Sequence, residues 1–269
     1  MGTAKRERQK QGRQQRLQAA EEAARRRKRF NGVRNFAIII VLIFIGLFVL
    51  SRVQGKDKSS TSTSSSTASS SGLAPGATIT GDTPCPNADG TSPRTTQFAK
   101  PPPTCIDATK TYTAKLSTSK GDITISLDPK TAPATVNNFV VLARYHFYDG
   151  VTFHRVIQGF MDQTGDATGN PPGTGGPGYT IPDELPPDKS VYTEGAVAMA
   201  NTGQPNSGGS QFFVVIGSGG QQLAASYTKF GTVTAGLDVA QAINALGGTD
   251  QQGTPTQVVT VNSVTITES

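Results

Sequence analysis

From Tyr112 onward the chain alternates between apolar and polar positions. Tyr112, Ala114 and Leu116 are separated by polar residues, Ser119-Lys120-Gly121-Asp122 supplies a turn, and Ile123, Ile125 and Leu127 alternate again. This pattern predicts a β-hairpin with one buried face. The period then changes: Val136, Phe139, Val140 and Ala143 share one face of a predicted helix, with Pro133 in its first turn and Thr131 placed to cap it. A second helix is predicted over 237–246, ended by Gly247-Gly248, and further strands over 195–200, 212–216, 229–233 and 258–266. Many short strands with only two helices predict a mainly β domain, a closed antiparallel barrel capped by the helices.

Ahead of Tyr112 the pattern is of another kind. Residues 36–50 are uncharged and include Ile38-Ile39-Ile40-Val41-Leu42-Ile43-Phe44-Ile45, and with Val33 and Val53 as flanks the run approaches the ~20 residues that span a bilayer. A single transmembrane helix is therefore expected over 36–53. Residues 59–72 are almost wholly Ser and Thr, which cannot bury apolar surface, so 54–84 reads as a disordered tether. Residues 85–111 form a Pro-rich segment holding the only two cysteines, Cys85 and Cys105, and 112–269 form the folded domain.

Charge settles which way the anchor runs. Residues 1–35 carry 12 Lys and Arg against 3 Glu, a net +9, so the other 234 residues carry 13 basic and 16 acidic side chains, a net −3. The basic tail, ending Arg25-Arg26-Arg27-Lys28-Arg29, places the N-terminus in the cytoplasm and the domain outside the membrane. Attraction to anionic lipid explains such juxtamembrane charge without a nucleic-acid partner. The long basic tail and the sequence Ser51-Arg52-Val53-Gln54-Gly55-Lys56, which lacks a small-x-small cleavage pattern, argue against a cleaved signal peptide. Outside the membrane, two cysteines without metal-ligand spacing favour a disulfide over free thiols.

The candidate chemistry sits in two blocks. The first, Phe153-His154-Arg155-Val156-Ile157-Gln158-Gly159-Phe160-Met161-Asp162-Gln163, sets one arginine among apolar side chains and an uncharged amide. The second is Met199-Ala200-Asn201-Thr202-Gly203 with Gly208-Gly209-Ser210-Gln211-Phe212-Phe213. Such a set suits a proline-containing peptide. The prolyl bond turns over a barrier of roughly 18–20 kcal/mol, and lowering it requires no nucleophile. What is required is an apolar pocket for the ring, hydrogen bonds to the flanking backbone, and a cation to meet the nitrogen lone pair that reappears as the amide twists. Arginine meets the last need because it stays charged and presents a rigid fork of donors.

The two blocks, in this order and spacing, resemble the cyclophilins, the family of peptidyl-prolyl cis/trans isomerases, over roughly 112–268. The resemblance implies an eight-stranded barrel, no cofactor, proline-containing polypeptides as partners and a monomer. It implies Arg155 as the catalytic residue, a proline pocket of Phe160, Met161, Phe213 and Leu223, and backbone contacts from Gln163, Asn201 and Gln211 with Ala200 beside them. Two positions depart from many eukaryotic members: Gln222 stands where a tryptophan precedes the pocket leucine, and Tyr227 replaces a rim histidine. Both bear on cyclosporin-type inhibition more than on turnover. The segment from Cys85 through Pro93-Arg94 to Cys105-Ile106-Asp107 also resembles the pre-domain segment of membrane-anchored actinobacterial cyclophilins. The expected function is thus isomerisation of exported proteins at the outer face of the cell membrane. The alternative is a proline-peptide binding module or scaffold with little turnover.

Other motifs fail on context. Gly173-Thr174-Gly175-Gly176-Pro177-Gly178 has dinucleotide-loop letters but follows Pro171-Pro172 rather than a strand. Ser210 lacks the second glycine of a nucleophile elbow and has no histidine after it. With only His146 and His154, no metal site is expected, and His154 reads as structural.

Overall fold

The computed structural model describes residues 76–248 and 252–269. The expected basic tail, transmembrane run and most of the tether lie outside the described residues, among which no helix is long and apolar enough to cross a membrane. Strands β1 (Ala77–Ile79) and β2 (Thr95–Phe98) pair in parallel as a small sheet of their own. The main sheet comprises β3 (Tyr112–Thr118), β4 (Gly121–Leu127), β5 (Arg155–Ile157), β6 (Met161–Thr164), β7 (Ala196–Met199), β8 (Phe212–Val215), β9 (Lys229–Ala235) and β10 (Val261–Glu268). Its spatial order is β10-β3-β4-β9-β7-β8-β6-β5, with every neighbouring pair antiparallel. Among the described residues two α-helices accompany it, α1 (Pro133–Arg144) and α2 (Leu237–Asn244).

The β3–β4 hairpin follows its alternation: Tyr112, Ala114, Leu116, Ile123, Ile125 and Leu127 are all buried, with Ala114 opposite Ile125 and Leu116 opposite Ile123. Helix α1 packs Phe139 against Tyr148, Phe212 and Phe230, at ring-centroid distances of 5.1, 5.3 and 5.3 Å. Such offset and edge-on pairs add to what burial of the rings contributes.

The barrel expected to be closed is open. The sheet curls from β10 to β5, yet these two ends share no ladder; the seam holds an isolated bridge, Thr152 to Thr260, and backbone bonds such as Phe153 N–H to Val259 O at 3.0 Å. Strand β5 is three residues long, too short to pair along the eight residues of β10. A half-barrel results.

Helix α1 is not capped by Thr131. Its N-cap residue is Ala132, which makes no side-chain bond, and the Thr131 N–H instead donates to Asp128 at 3.2 Å. The orphan N–H groups of Ala134 and Thr135 donate to the Glu184 carboxylate, both at 2.9 Å, and the Thr135 hydroxyl adds a bond of 2.8 Å. An anion at a helix N-terminus also meets the positive end of its dipole.

Residues 76–84, expected as the end of the tether, are ordered. They begin a strap that runs to Cys105 and is cross-linked by the Cys85–Cys105 disulfide, with Cα atoms 5.4 Å apart. The strap covers the second face of α1, which is why that helix is buried nearly all round: Asn137 donates to Pro103 O at 2.9 Å and accepts from Cys105 N–H at 2.7 Å. Phe98 inserts between Tyr145 and Tyr179, at centroid distances of 5.4 and 6.1 Å. Its N–H donates to Pro177 O at 2.8 Å, so the strap also braces the glycine-rich loop.

Candidate active site

Register alone assembles most of the site. On the β5–β6 hairpin Arg155 lies opposite Gln163 and Ile157 opposite Met161. Across β6 and β8, Gln163 lies opposite Phe213, and across β8 and β7, Phe213 lies opposite Ala198. Arg155, Gln163, Phe213 and Ala198 thus form one row across four strands, on the face away from the main core. There Met161, Phe213, Ala198, Ala196, Val215 and Tyr192 make a second buried apolar cluster. Phe160, Ala200, Leu223 and Tyr227 pack at its margin.

A cavity of about 280 Å³ opens over this cluster. Phe160, Met161, Phe213 and Leu223 supply its apolar lining, Arg155, Gln163 and Asn201 its polar one, and Ala200 and Tyr227 complete the wall. The turn that brings Phe160 to the cavity needs a left-handed residue, and Gly159 provides it at φ +69°. Leu223 arrives at the end of the 3₁₀ turn Gly219–Gln222, with Gln222 exposed beside it. Tyr227 stands edge-on to Phe213 at 5.4 Å. Its backbone is held at both ends by Tyr192, whose hydroxyl donates to Tyr227 O at 2.6 Å and accepts from Tyr227 N–H at 3.1 Å. Asn201 is fixed by donating to Ser226 O at 2.8 Å and accepting from Gly203 N–H at 3.0 Å.

Gln211 is the one expected site residue outside the cavity lining. It lies a layer behind, where its Nε2 donates to Gly173 O and Gly175 O at 3.0 and 2.9 Å. Two carbonyls can only accept, so its Oε1 must face the other way, and there it accepts from Gln163 Nε2 at 3.0 Å. This turns Gln163 Oε1 toward Arg155, whose Nη1 donates to it at 3.4 Å. The glycine-rich loop is therefore the far end of a relay that orients the arginine. Asp166 organises that loop by accepting from the N–H groups of Thr168, Gly169, Gly173 and Gly175 at 3.0, 2.7, 2.6 and 3.0 Å. Burial works to raise its pKa, but these donors outweigh burial and hold the carboxyl below its ordinary range.

Burial lowers the pKa of Arg155, with Tyr227 acting in the opposite sense; half-buried, the guanidinium offers donors whose competition from water is reduced. His154 does not line the cavity, and burial pulls its pKa below the ordinary value. Tyr192, Ala198, Asp166 and Glu184 escaped the sequence reading. For Ala198 the signal was available in strand parity, whereas Tyr192, Asp166 and Glu184 act across loops that no local pattern reveals.

The model of the family described as cyclophilin type peptidyl-prolyl cis-trans isomerase/CLD matches residues 113–266. The chain belongs to the cyclophilins. This cyclophilin is 42% identical over 171 residues to the probable peptidyl-prolyl cis-trans isomerase A of Mycobacterium leprae, a match covering 57% of this chain and 91% of the relative. It is 42% identical over 170 residues to peptidyl-prolyl cis-trans isomerase B of Streptomyces anulatus, covering 57% and 95%. Among solved structures, a cyclophilin type isomerase from Cryptosporidium parvum is similar with a TM-score of 0.53 at 28% identity, over 58% of this chain and 98% of that one. That protein has also been solved in the presence of the dipeptide Ala-Pro. The activity shared by these relatives, cis/trans isomerisation of prolyl bonds, is the enzymatic class of this cyclophilin.

Proposed function

We propose that this cyclophilin isomerises prolyl bonds of exported polypeptides outside the membrane, with Arg155 as the catalytic residue. The observation that carries the reading is the position of Arg155, oriented by Gln163 in the wall of a cavity that Phe160, Met161 and Phe213 also line. A proline ring enters the apolar floor, while Asn201 and Gln163 grip the flanking backbone. As the amide twists, its nitrogen regains a lone pair and the guanidinium donates to it, an interaction absent from the planar ground state. Only such differential binding accelerates the step, at about 1.4 kcal/mol per factor of ten. A module that merely binds proline has no use for a half-buried cation aimed by a relay of amides.

The test is the isomerisation rate of the chain on a proline-containing peptide, compared with Arg155→Ala. We expect at least a tenfold loss with thermal unfolding nearly unchanged, since the missing bond acts in the twisted state. Equal rates in the two proteins would overturn the assignment.

The outer location rests on the sequence, in the net +9 of residues 1–35 and the apolar run behind it. The Cys85–Cys105 disulfide supports it, because such bonds persist in oxidising compartments. Protease added to cells stripped of wall should release a fragment of the size of the folded domain. Protection of the domain would reverse the orientation.

A further inference from the structure

The hairpin that builds the cavity carries one half of a polar pair, the other half lying on α2, for which isomerisation, as derived above, has no use. Asp162 lies between Met161 and Gln163 on β6, so alternation turns it away from the cavity and into the main core, where its register partners are Val156 and Val214. It is fully buried. Its Oδ1 accepts from Asn244 Nδ2 at 2.7 Å, while its Oδ2, equally buried, has no partner. An apolar side chain would fill this place more favourably, since a buried polar atom without a hydrogen bond is costly.

Asn244, at the end of α2, is itself buried and directs its whole amide at the hairpin. Its Oδ1 accepts from Gly159 N–H at 2.7 Å, and its Nδ2 donates to Ile157 O at 2.9 Å. Gly159 N–H can only donate and Ile157 O can only accept, so the amide has one allowed orientation, with a single hydrogen left over. Asp162 takes that hydrogen. The turn so clamped delivers Phe160 to the cavity, and on its other side the Phe160 and Gly159 carbonyls accept from Ile216 and Gly219 at 2.8 and 3.2 Å.

Resting on the reading of the cavity as the prolyl site, we propose that Asp162 is a positioning residue for isomerisation: acting through Asn244, it fixes the β5–β6 turn and so sets Phe160 against Met161. Burial pushes the Asp162 pKa up to about 7, with the Asn244 bond acting to lower it, which shows the energetic burden that the arrangement carries. A carboxyl kept at such a burden, one residue from two cavity residues, is retained for geometry and not for stability.

The test compares kcat/KM on an Ala-Pro peptide for full-length Asp162→Leu, Asp162→Asn, Asn244→Ala and the double variant Asp162→Leu/Asn244→Ala, at a temperature where thermal unfolding shows each to be folded. Asp162→Leu removes a buried oxygen without a partner but strands one buried Asn244 hydrogen, so its Tm should stay close to the wild type while kcat/KM falls at least fivefold. Asp162→Asn, which keeps an acceptor for Asn244, should stay within twofold of the wild type. Asn244→Ala should fall at least as far as Asp162→Leu, and the double variant no further than Asn244→Ala, because the two act as one unit. Wild-type kcat/KM in Asp162→Leu, a fall in Asp162→Asn matching that of Asp162→Leu, or losses that add in the double variant would each overturn the proposal. Arg155→Ala, assayed alongside, reports on the cavity reading by itself, so failure of the one is told apart from failure of the other.

Discussion

Asp162 and Arg155 sit on one hairpin and face opposite environments. Arg155 was legible in the sequence because an arginine among Phe153, Phe160 and Met161 is chemically conspicuous. Asp162 was not, since within the motif it reads as one more polar residue; only the parity of β6 shows that it points into the core. Its titration gives a sharp expectation. In the unfolded chain the carboxyl ionises near about 4, whereas in the folded chain it keeps its proton up to about 7. Between those limits the folded state binds the extra proton, so the contribution of Asp162 to stability is fullest below the window, falls as pH rises through it, and is lowest above it. We expect the stability difference between Asp162→Leu and the wild type to widen from pH 5 to pH 8 in favour of leucine. Urea unfolding at the two pH values measures it, each unit of the shift spanned between them corresponding to about 1.4 kcal/mol of widening. A constant difference would mean that Asp162 does not titrate in this range.

Among the elements, those marked by a period or by an unbroken apolar run, such as β7 and β8, were read from the sequence, and the short or polar ones, β1, β2, β5 and β6, were not. The hairpin β3–β4 and helices α1 and α2 announce themselves by period, whereas β5 and β6 do not. Strand β6, with the letters Met-Asp-Gln-Thr, has one apolar residue and three polar ones, so neither alternation nor an apolar run marks it although most of it is buried. Helix α1 shows the other limit, since its cap comes from Glu184, about fifty positions along the chain, while Thr131 next to it does something else. Replacing that carboxylate strands two backbone donors and removes a charge from the positive end of the helix dipole. We expect Glu184→Ala to cost about 1–2 kcal/mol in thermal or urea unfolding, and Glu184→Gln to cost less. The catalytic rate of the folded protein should change little, since α1 lines no part of the cavity.

Over the whole molecule, the disulfide and the strap belong together. The bond closes a loop of sequence separation 20, for which chain-entropy arguments give roughly 3 kcal/mol. We therefore expect Cys85→Ser/Cys105→Ser to lose stability on that order in urea, and its Gly173–Gly178 loop to exchange amide hydrogens faster, because Phe98 and Pro177 would no longer be held together. Unchanged exchange in the loop would show that the strap braces nothing beyond itself. The pairing was expected from compartment, and a strand in the strap was not: three-residue β1 carries too few letters to show a period. The same cross-link also decides how the domain bears load. Tension arriving along the chain ahead of Gly76 first peels β1 from β2, then reaches Cys85, passes through the sulfur bridge to Cys105 and is delivered to β3, which is gripped by β4 on one side and β10 on the other. Residues 86–104 lie off that line of force. Thr95–Phe98, which steady the loop behind Gln211, therefore take load only while β1 still holds them; once β1 has peeled away, the sulfur bridge carries the tension past them.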